Sequence, residues 1–253
     1  MPHPACGPID EAAWQRVLAR TPGPSGYPAL YAPFLAAPVA ADGCVVLGRI
    51  AQTLDGRIAT ASGMSFWISG PDDILHTHRL RALCDAIVVG AGTVRADDPL
   101  LTTRLCAGPS PVRVVIDTDR RLDADYRMFQ ADPPTLLLAA DDIAGPARLG
   151  TAEVVRVPRA ASGGLDIPGV VAALAARGLC RIFVEGGGIT VSRFLAAGVL
   201  DRLHVTVAPL LLGSGIPAFT LPGVARPEDG LRLAWQVHHL GDDLLFDIPL
   251  ART

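Results

Sequence analysis

The feature that most constrains this chain is the stretch 182–194, Ile-Phe-Val-Glu-Gly-Gly-Gly-Ile-Thr-Val-Ser-Arg-Phe. A short apolar run reads as a buried strand, ends in the carboxylate of Glu185, passes through three glycines and enters a run with helical character. A strand, a glycine turn and a helix N-terminus in succession belong to a parallel α/β sheet and present free backbone N–H groups to an anion, usually a phosphate. Glycine permits the close approach and the positive φ that such a turn needs. The alternative is a tight strand-to-helix turn that holds no ligand.

A second turn of this kind follows the apolar run 86–90: Val89-Gly90-Ala91-Gly92-Thr93-Val94-Arg95. Its first half imitates a dinucleotide-binding fingerprint, but Arg95 stands where the third glycine belongs, and Val191 fails the same test in the first stretch. Neither is a Rossmann fingerprint. Two glycine turns remain, each at the C-terminal end of an expected parallel strand, where open α/β sheets bind ligands.

The rest of the chain supports that frame. Residues 1–43 form a proline-rich extension, with one brief helix expected after Asp10 as N-cap and with Trp14, Val17 and Leu18 on one face. Trp14, Tyr27, Tyr31 and Phe34 argue that the extension packs on its own domain or on a second subunit, because aromatic surface is costly to leave in water. Residues 44–253 are read as one catalytic domain. Strands are expected at 44–51, 86–90, 112–116, 135–139, 154–157 and 203–208, with a closing antiparallel pair at 231–237 and 244–248. Helices are expected after Ser69 as N-cap to about residue 84, at 168–177 with Gly178 at the C′ position, and after the three glycines to 197. Strands alternating with helices, then strands without them, predict a mixed, mostly parallel central sheet in a three-layer α/β fold with antiparallel C-terminal strands.

Composition excludes several classes. The net charge of −3 comes with no basic cluster, so neither nucleic acid nor an acidic membrane surface is an expected partner. The longest uncharged stretch, 205–225, is interrupted by Pro209, Gly213, Gly215, Pro217, Pro222 and Gly223, so no membrane span is expected there. With no signal-peptide pattern at the N-terminus and with Cys6, Cys44, Cys84, Cys106 and Cys180 scattered and unpaired in sequence, the expectation is a cytoplasmic protein with reduced thiols. The histidines suggest no metal site: His76 and His78 are two apart on a helix, and His238 and His239 point to opposite faces of a strand. On this reading they organise nothing. Arg81 and Arg104 flank the second glycine turn and are candidates to hold a phosphate, or else are surface arginines.

At this point the chain resembles a known family. Thr53-Leu54-Asp55-Gly56-Arg57-Ile58-Ala59, Ser65-Phe66-Trp67-Ile68-Ser69, Leu80-Arg81-Ala82, the second glycine turn followed by Asp97-Asp98-Pro99-Leu100-Leu101-Thr102-Thr103-Arg104, Val114-Val115-Ile116-Asp117, Val184-Glu185-Gly186-Gly187 and Ala208-Pro209-Leu210-Leu211-Leu212-Gly213 occur in the order seen in the pyrimidine reductases of riboflavin biosynthesis. The match resembles the reductase half of the bifunctional deaminase–reductase, from about residue 44 onward, with the short extension in place of the deaminase half. The resemblance implies a dihydrofolate-reductase-like fold, often dimeric, and NADPH-dependent reduction of the ribosyl group of a 5-amino-6-ribosylaminopyrimidine phosphate to ribityl.

Carried over by position, the resemblance implies that Ala51, Trp67, Thr93, Asp97, Thr118 and the run Gly187, Gly188, Ile189, Thr190, Val191, Ser192 and Arg193 touch the cofactor. Ser65, Arg81, Leu101, Arg104 and Glu185 would touch the substrate, with Glu185 and Arg49 the expected catalytic residues. Asp55 is assigned to shaping the site. Arg49 stands where bacterial members usually carry lysine; arginine keeps the charge but stays protonated, so it cannot shuttle a proton. Phe66 replaces a usual polar residue. Two alternatives stay open: a stand-alone reductase of a related pterin or pyrimidine, and a nucleotide-binding module without catalysis.

Overall fold

A computed structural model describes residues 9–66 and 68–252. The chain opens with α1 (Glu11–Leu18) and a short turn of helix, α2 (Ala32–Leu35), then enters β1 (Val45–Thr53) and β2 (Arg57–Thr60). Next come α3 (Pro71–Leu83), β3 (Ala86–Gly90), α4 (Ala91–Asp97), β4 (Val112–Ile116), β5 (Thr135–Ala140), β6 (Arg148–Leu149) and β7 (Ala152–Val157). The second half holds α5 (Ile167–Ala175), β8 (Arg181–Glu185), α6 (Gly188–Ala196), β9 (Arg202–Ala208), β10 (Gly215–Pro217), β11 (Gln236–Leu240) and β12 (Asp243–Pro249).

Ten of the strands make one sheet in the order β11-β12-β9-β1-β8-β3-β4-β5-β7-β6. Pairing is parallel from β9 through β1, β8, β3, β4 and β5 to β7, and antiparallel at β6–β7, β12–β9 and β11–β12. The parallel strands therefore end on one common edge. Strand alternation divides the core in two. Val46 and Ile50 of β1 join a cluster with Val170, Val171 and Leu174 of α5 and Val191 and Phe194 of α6. Leu47 points the other way, to Leu80 and Leu83 of α3, Val94 of α4 and Trp14 of α1. Helices on both faces of a mixed sheet with antiparallel C-terminal strands are the three-layer fold expected from the sequence.

The N-terminal segment belongs to the α3 face. Asp10 caps α1 by accepting from the Ala13 N–H at 2.6 Å, and Trp14 is fully buried. The indole donates to the Ala107 carbonyl at 3.0 Å, and the Arg79 guanidinium lies 5.3 Å from its ring centre. Tyr31 and Phe34 are buried in the same cluster.

Two local expectations are corrected. The N-cap of α3 is Gly70, not Ser69, whose hydroxyl bonds Asp73 instead. The strand expected at 231–237 begins only at Gln236, because Leu231 and Trp235 are exposed and have no sheet partner. Gly56 turns the chain with φ 76°, and β2, which follows, pairs antiparallel with β10. Asp55 serves that loop: its carboxylate accepts from the Thr53 hydroxyl at 2.5 Å, the Leu212 N–H at 3.2 Å and the Gly213 N–H at 2.7 Å.

Candidate active site

The two glycine turns meet at the carboxyl edge, because β8 and β3 are neighbours in the sheet. Gly186 and Gly187 have φ of 72° and 71°, values that a side chain rarely adopts, and Gly187 is the N-cap of α6. A Cβ on Gly187 would lie 2.9 Å from Thr93 Oγ1 of the facing turn, and one on Gly90 would lie 2.5 Å from Thr190 Oγ1. A Cβ on Gly188 would meet the Ala218 and Pro217 carbonyl oxygens at 2.5 and 2.9 Å. The glycines thus let two turns and a strap close on one another at the N-terminus of α6, where no side chain caps the helix.

Beside this crevice lies a pair of ion pairs under α3. Glu185 ends β8 directly opposite Arg49 of β1 in the parallel register, so both side chains face α3. Arg81 grips the Glu185 carboxylate with two nitrogens, Nε at 2.8 Å and Nη2 at the second oxygen, while its Nη1 donates to the Thr102 carbonyl at 3.0 Å. Arg49 reaches the Asp73 carboxylate, which also accepts from the Thr206 hydroxyl at 2.7 Å. Burial by itself pushes the Asp73 carboxyl up; the charge and hydrogen bond of Arg49, with Ser69 and Thr206, outweigh it and hold the pKa below the usual carboxylate range.

The loop after α4 completes the site. Asp98 and Leu101 both have positive φ, 37° and 53°, although neither is glycine, and such strain collects at functional sites. Leu101 is buried, and Arg104 extends into solvent with its Nη1 on the Thr102 hydroxyl at 2.7 Å. Burial, then the nearby charge of Arg81, lowers the Arg104 pKa. Asp97 and Ser65 hydrogen-bond each other, and burial raises the Asp97 carboxyl against that bond.

The structure brings Arg81, Glu185, Leu101 and Arg104 into one corner, and Thr93, Thr190, Gly187 and Gly188 into the adjoining crevice. Ala51 is half-buried on β1, and Thr118 follows β4 at the same edge of the sheet. Ile189 and Arg193 are exposed on α6. Val191 and Ser192 are turned inward: Val191 lies in the core with its N–H on the Gly187 carbonyl, and the Ser192 hydroxyl accepts from the Thr220 N–H at 2.9 Å. Trp67 lies outside the described residues.

The histidines, expected to organise nothing, are structural: His76, His78, His204 and His238 are buried. His76 Nε2 lies 3.2 Å from His204 Nδ1, with the Tyr31 hydroxyl 3.1 Å from the other His76 nitrogen and Asp247 3.3 Å beyond His204. Burial, then the neighbouring charges, depresses the His76 pKa well below its ordinary value; burial also lowers that of His204, against the pull of Asp247. His78 Nδ1 accepts the Arg104 N–H at 2.9 Å. Spacing along the chain could not reveal this, since each partner comes from another element; the detectable signal was that His78 and Arg81 are three apart and share a helix face. Among the described residues, no cluster of His, Cys, Asp and Glu is arranged to hold a metal ion.

Paired glycine turns at the carboxyl edge of parallel strands, beside a part-buried Arg–Glu pair, place the candidate site where open α/β sheets bind ligands. Comparison with known proteins makes it particular. Residues 45–244 match the model of the RibD C-terminal domain, and the chain belongs to that family, the reductase family of riboflavin biosynthesis. It is 38% identical over 213 residues to the 2,5-diamino-6-ribosylamino-4(3H)-pyrimidinone 5′-phosphate reductase of Methanothermobacter thermautotrophicus, covering 80% of this chain and 96% of that protein. It is 36% identical to the riboflavin biosynthesis protein RibD of Mycobacterium tuberculosis strain H37Rv over 80% of this chain but 53% of that one, so it spans about half the length of such relatives. Among solved structures, the Thermotoga maritima deaminase/5-amino-6-(5-phosphoribosylamino)uracil reductase superposes with a TM-score of 0.69 at 27% identity, over 82% of this chain and 57% of that one. The Saccharomyces reductase Rib7 shares the fold with a TM-score of 0.67 at 22% identity, over 85% of this chain and 93% of that one.

Proposed function

We propose that this chain reduces the ribosyl group of a 5-amino-6-ribosylaminopyrimidine 5′-phosphate to ribityl, with NADPH as reductant. An oxidoreductase of the pyrimidine-reductase type is the class its family defines. The observation that carries the reading is the close packing of the two glycine turns at the carboxyl edge of the sheet, beside the Arg81–Glu185 pair. The glycines at 90, 187 and 188 set the turn on which a dinucleotide phosphate would rest: a Cβ at any of them would collide with Thr190, Thr93 or the 217–218 backbone and push the two turns apart. Gly187, Gly188, Ile189 and Thr190 would hold the cofactor phosphates with backbone N–H groups, alongside Thr93 and Thr118. When bound, NADPH supplies the hydride.

The chain's own residues supply position and charge. Glu185, at the C-terminal end of β8 and oriented by both Arg81 contacts, would accept from the hydroxyls of the opened sugar. Arg104 is the charge for the substrate phosphate. Arg49, committed to Asp73 inside the protein, would line the pocket as a fixed cation. A cytoplasmic setting suits the free thiols of Cys44, Cys84, Cys106 and Cys180, and no helix among the described residues is long and apolar enough to cross a membrane. A homodimer belongs to the same reading, with exposed Leu211, Leu231 and Trp235 as surface to cover; sedimentation velocity tests it.

The deciding assay is loss of NADPH absorbance with the aminouracil and the diaminopyrimidinone ribosyl phosphates, with dihydrofolate as control. Turnover of either phosphate and not of dihydrofolate is expected. Inactivity on both, with NADPH still bound, would move the substrate to another pyrimidine or pterin.

A further inference from the structure

We infer that His78 is a positioning residue that fixes the phosphate-binding arm of the site, residues 101–104, to helix α3. The inference rests on the function proposed above, in that it takes Arg104 as the cation for the substrate phosphate. His78 and Arg81 lie three apart on α3 and so share a face. Arg81 donates to the Thr102 carbonyl at 3.0 Å, and His78 Nδ1 accepts the Arg104 N–H at 2.9 Å. The arm is therefore tied at two points, a donor and an acceptor one turn apart on one helix.

The arm needs such ties. Leu101 sits at φ 53° with its side chain buried, a conformation that persists only where surroundings impose it. Its far end is held by Ser110, whose hydroxyl accepts the Thr103 N–H at 3.1 Å, and by the Thr103 hydroxyl on the Pro109 carbonyl at 2.9 Å. Arg81 has two of its three nitrogens on Glu185, whereas Arg104 has no carboxylate partner among the described residues. The phosphate thus falls to Arg104, and the backbone beneath that guanidinium is placed by a histidine.

The ring must stay neutral to accept. Burial, then the adjacent cations Arg81 and Arg104, holds its pKa down to about 4, against the weaker pull of Glu185. Those three charged side chains are the titratable and ionic groups around it on α3, the arm and β8. In consequence Nδ1 remains an acceptor throughout the pH range in which an enzyme of this kind is assayed.

The test compares His78→Asn, whose side-chain oxygen falls near the position of Nδ1, with His78→Gln and His78→Leu, which place no acceptor there. Calorimetric titration with ribose 5-phosphate probes the arm without requiring turnover, and steady-state kinetics with the ribosylaminopyrimidine phosphate separate KM from kcat. His78→Gln and His78→Leu should weaken ribose 5-phosphate binding and raise KM by roughly tenfold, the effect of one well-placed hydrogen bond. Their kcat should stay within about twofold of the parent and their NADPH affinity should not change. His78→Asn should restore both phosphate readouts. If the parent binds ribose 5-phosphate through Arg104 but turns over no pyrimidine, the proposed reaction fails and the positioning role stands. Equal binding by His78→Gln and the parent, equal weakness of His78→Asn and His78→Gln, or binding that survives Arg104→Gln would overturn it.

Discussion

The Arg81–Glu185 pair lends itself to a double-mutant cycle. The two side chains are 10% and 16% exposed, and two nitrogens of Arg81 face the two carboxylate oxygens. For charges about 4 Å apart at an effective dielectric near 20, the attraction is about 4 kcal/mol. Removing one member of a buried pair costs about 3–5 kcal/mol because the other is stranded. Arg81→Met leaves the Glu185 carboxylate with only a thin contact to water, so a loss of about 3 kcal/mol is expected. Glu185→Gln keeps the shape but turns an amide N–H toward an arginine N–H, for about 2 kcal/mol. In the double variant neither penalty remains in full, so the sum of the single losses should exceed the measured loss by about 2 kcal/mol. Urea unfolding near neutral pH measures all four proteins, with unchanged m-values as the check that the native fold is retained. A coupling below about 0.5 kcal/mol would refute the pairing as an energetic unit. In the kinetic assay Glu185→Gln should lower turnover while NADPH affinity stays near that of the parent; unchanged turnover removes Glu185 from the site's chemistry.

Stability should fall as pH drops from neutral. A histidine whose pKa is depressed in the folded state leaves the unfolded state to bind the extra proton, so its contribution is complete above the ordinary value of 6.5 and is lost by about 4 for His78. That shift amounts to as much as about 3 kcal/mol, His76 and His204 act in the same direction, and a flat urea-unfolding profile between about pH 7 and pH 5 would contradict it. Gly188→Ala forces a Cβ to 2.5 Å from the Ala218 carbonyl oxygen; the expected loss is about 1–3 kcal/mol, with weaker NADPH binding by fluorescence titration, and parent-like affinity would show that the strap does not shape the crevice. Trp14→Ala empties a fully buried site under α3, and thermal or urea unfolding should register about 3–5 kcal/mol; a loss under about 1 kcal/mol would mean that the extension is not part of the core.

The elements legible from sequence are those whose local signal and tertiary role agree. Helix α5 is one: Val170, Val171 and Leu174 are buried on one stripe, and Gly178, at φ 73°, ends the helix as its position predicts. The central strands are legible for the same reason, since a strand buried on both faces must be apolar throughout. The 231–237 segment misled because Leu231 and Trp235 look like strand residues yet lie on the surface, and nothing local says whether an apolar run finds a sheet edge. Of the site, Glu185 and the glycine turns were visible as punctuation at strand ends. Asp73, Thr206 and the His76–His204–Asp247 chain were not, because each pairing joins residues far apart in sequence.

Helix α3 shows why that failure falls where it does. Asp73, His76, Thr77, His78, Arg79 and Arg81 are all buried on it, along with Leu80, Ala82 and Leu83. A buried helix normally earns its place by an apolar stripe, and this one has hardly any. It is held because each polar side chain meets a partner of opposite kind: Asp73 meets Arg49, His76 meets His204, Arg79 meets the Ile9 carbonyl, Arg81 meets Glu185. Such a helix cannot be recognised by hydrophobic period, and left unpartnered its buried groups would be costly. Its partners lie on β1, β8, β9, the 101–104 arm and the N-terminal segment, so α3 registers the carboxyl edge of the sheet, that arm and the extension against one another. A polar helix packed against the carboxyl edge of a sheet is therefore a sign of the candidate site itself, and in this chain capping signals revealed the helix while its partners stayed hidden.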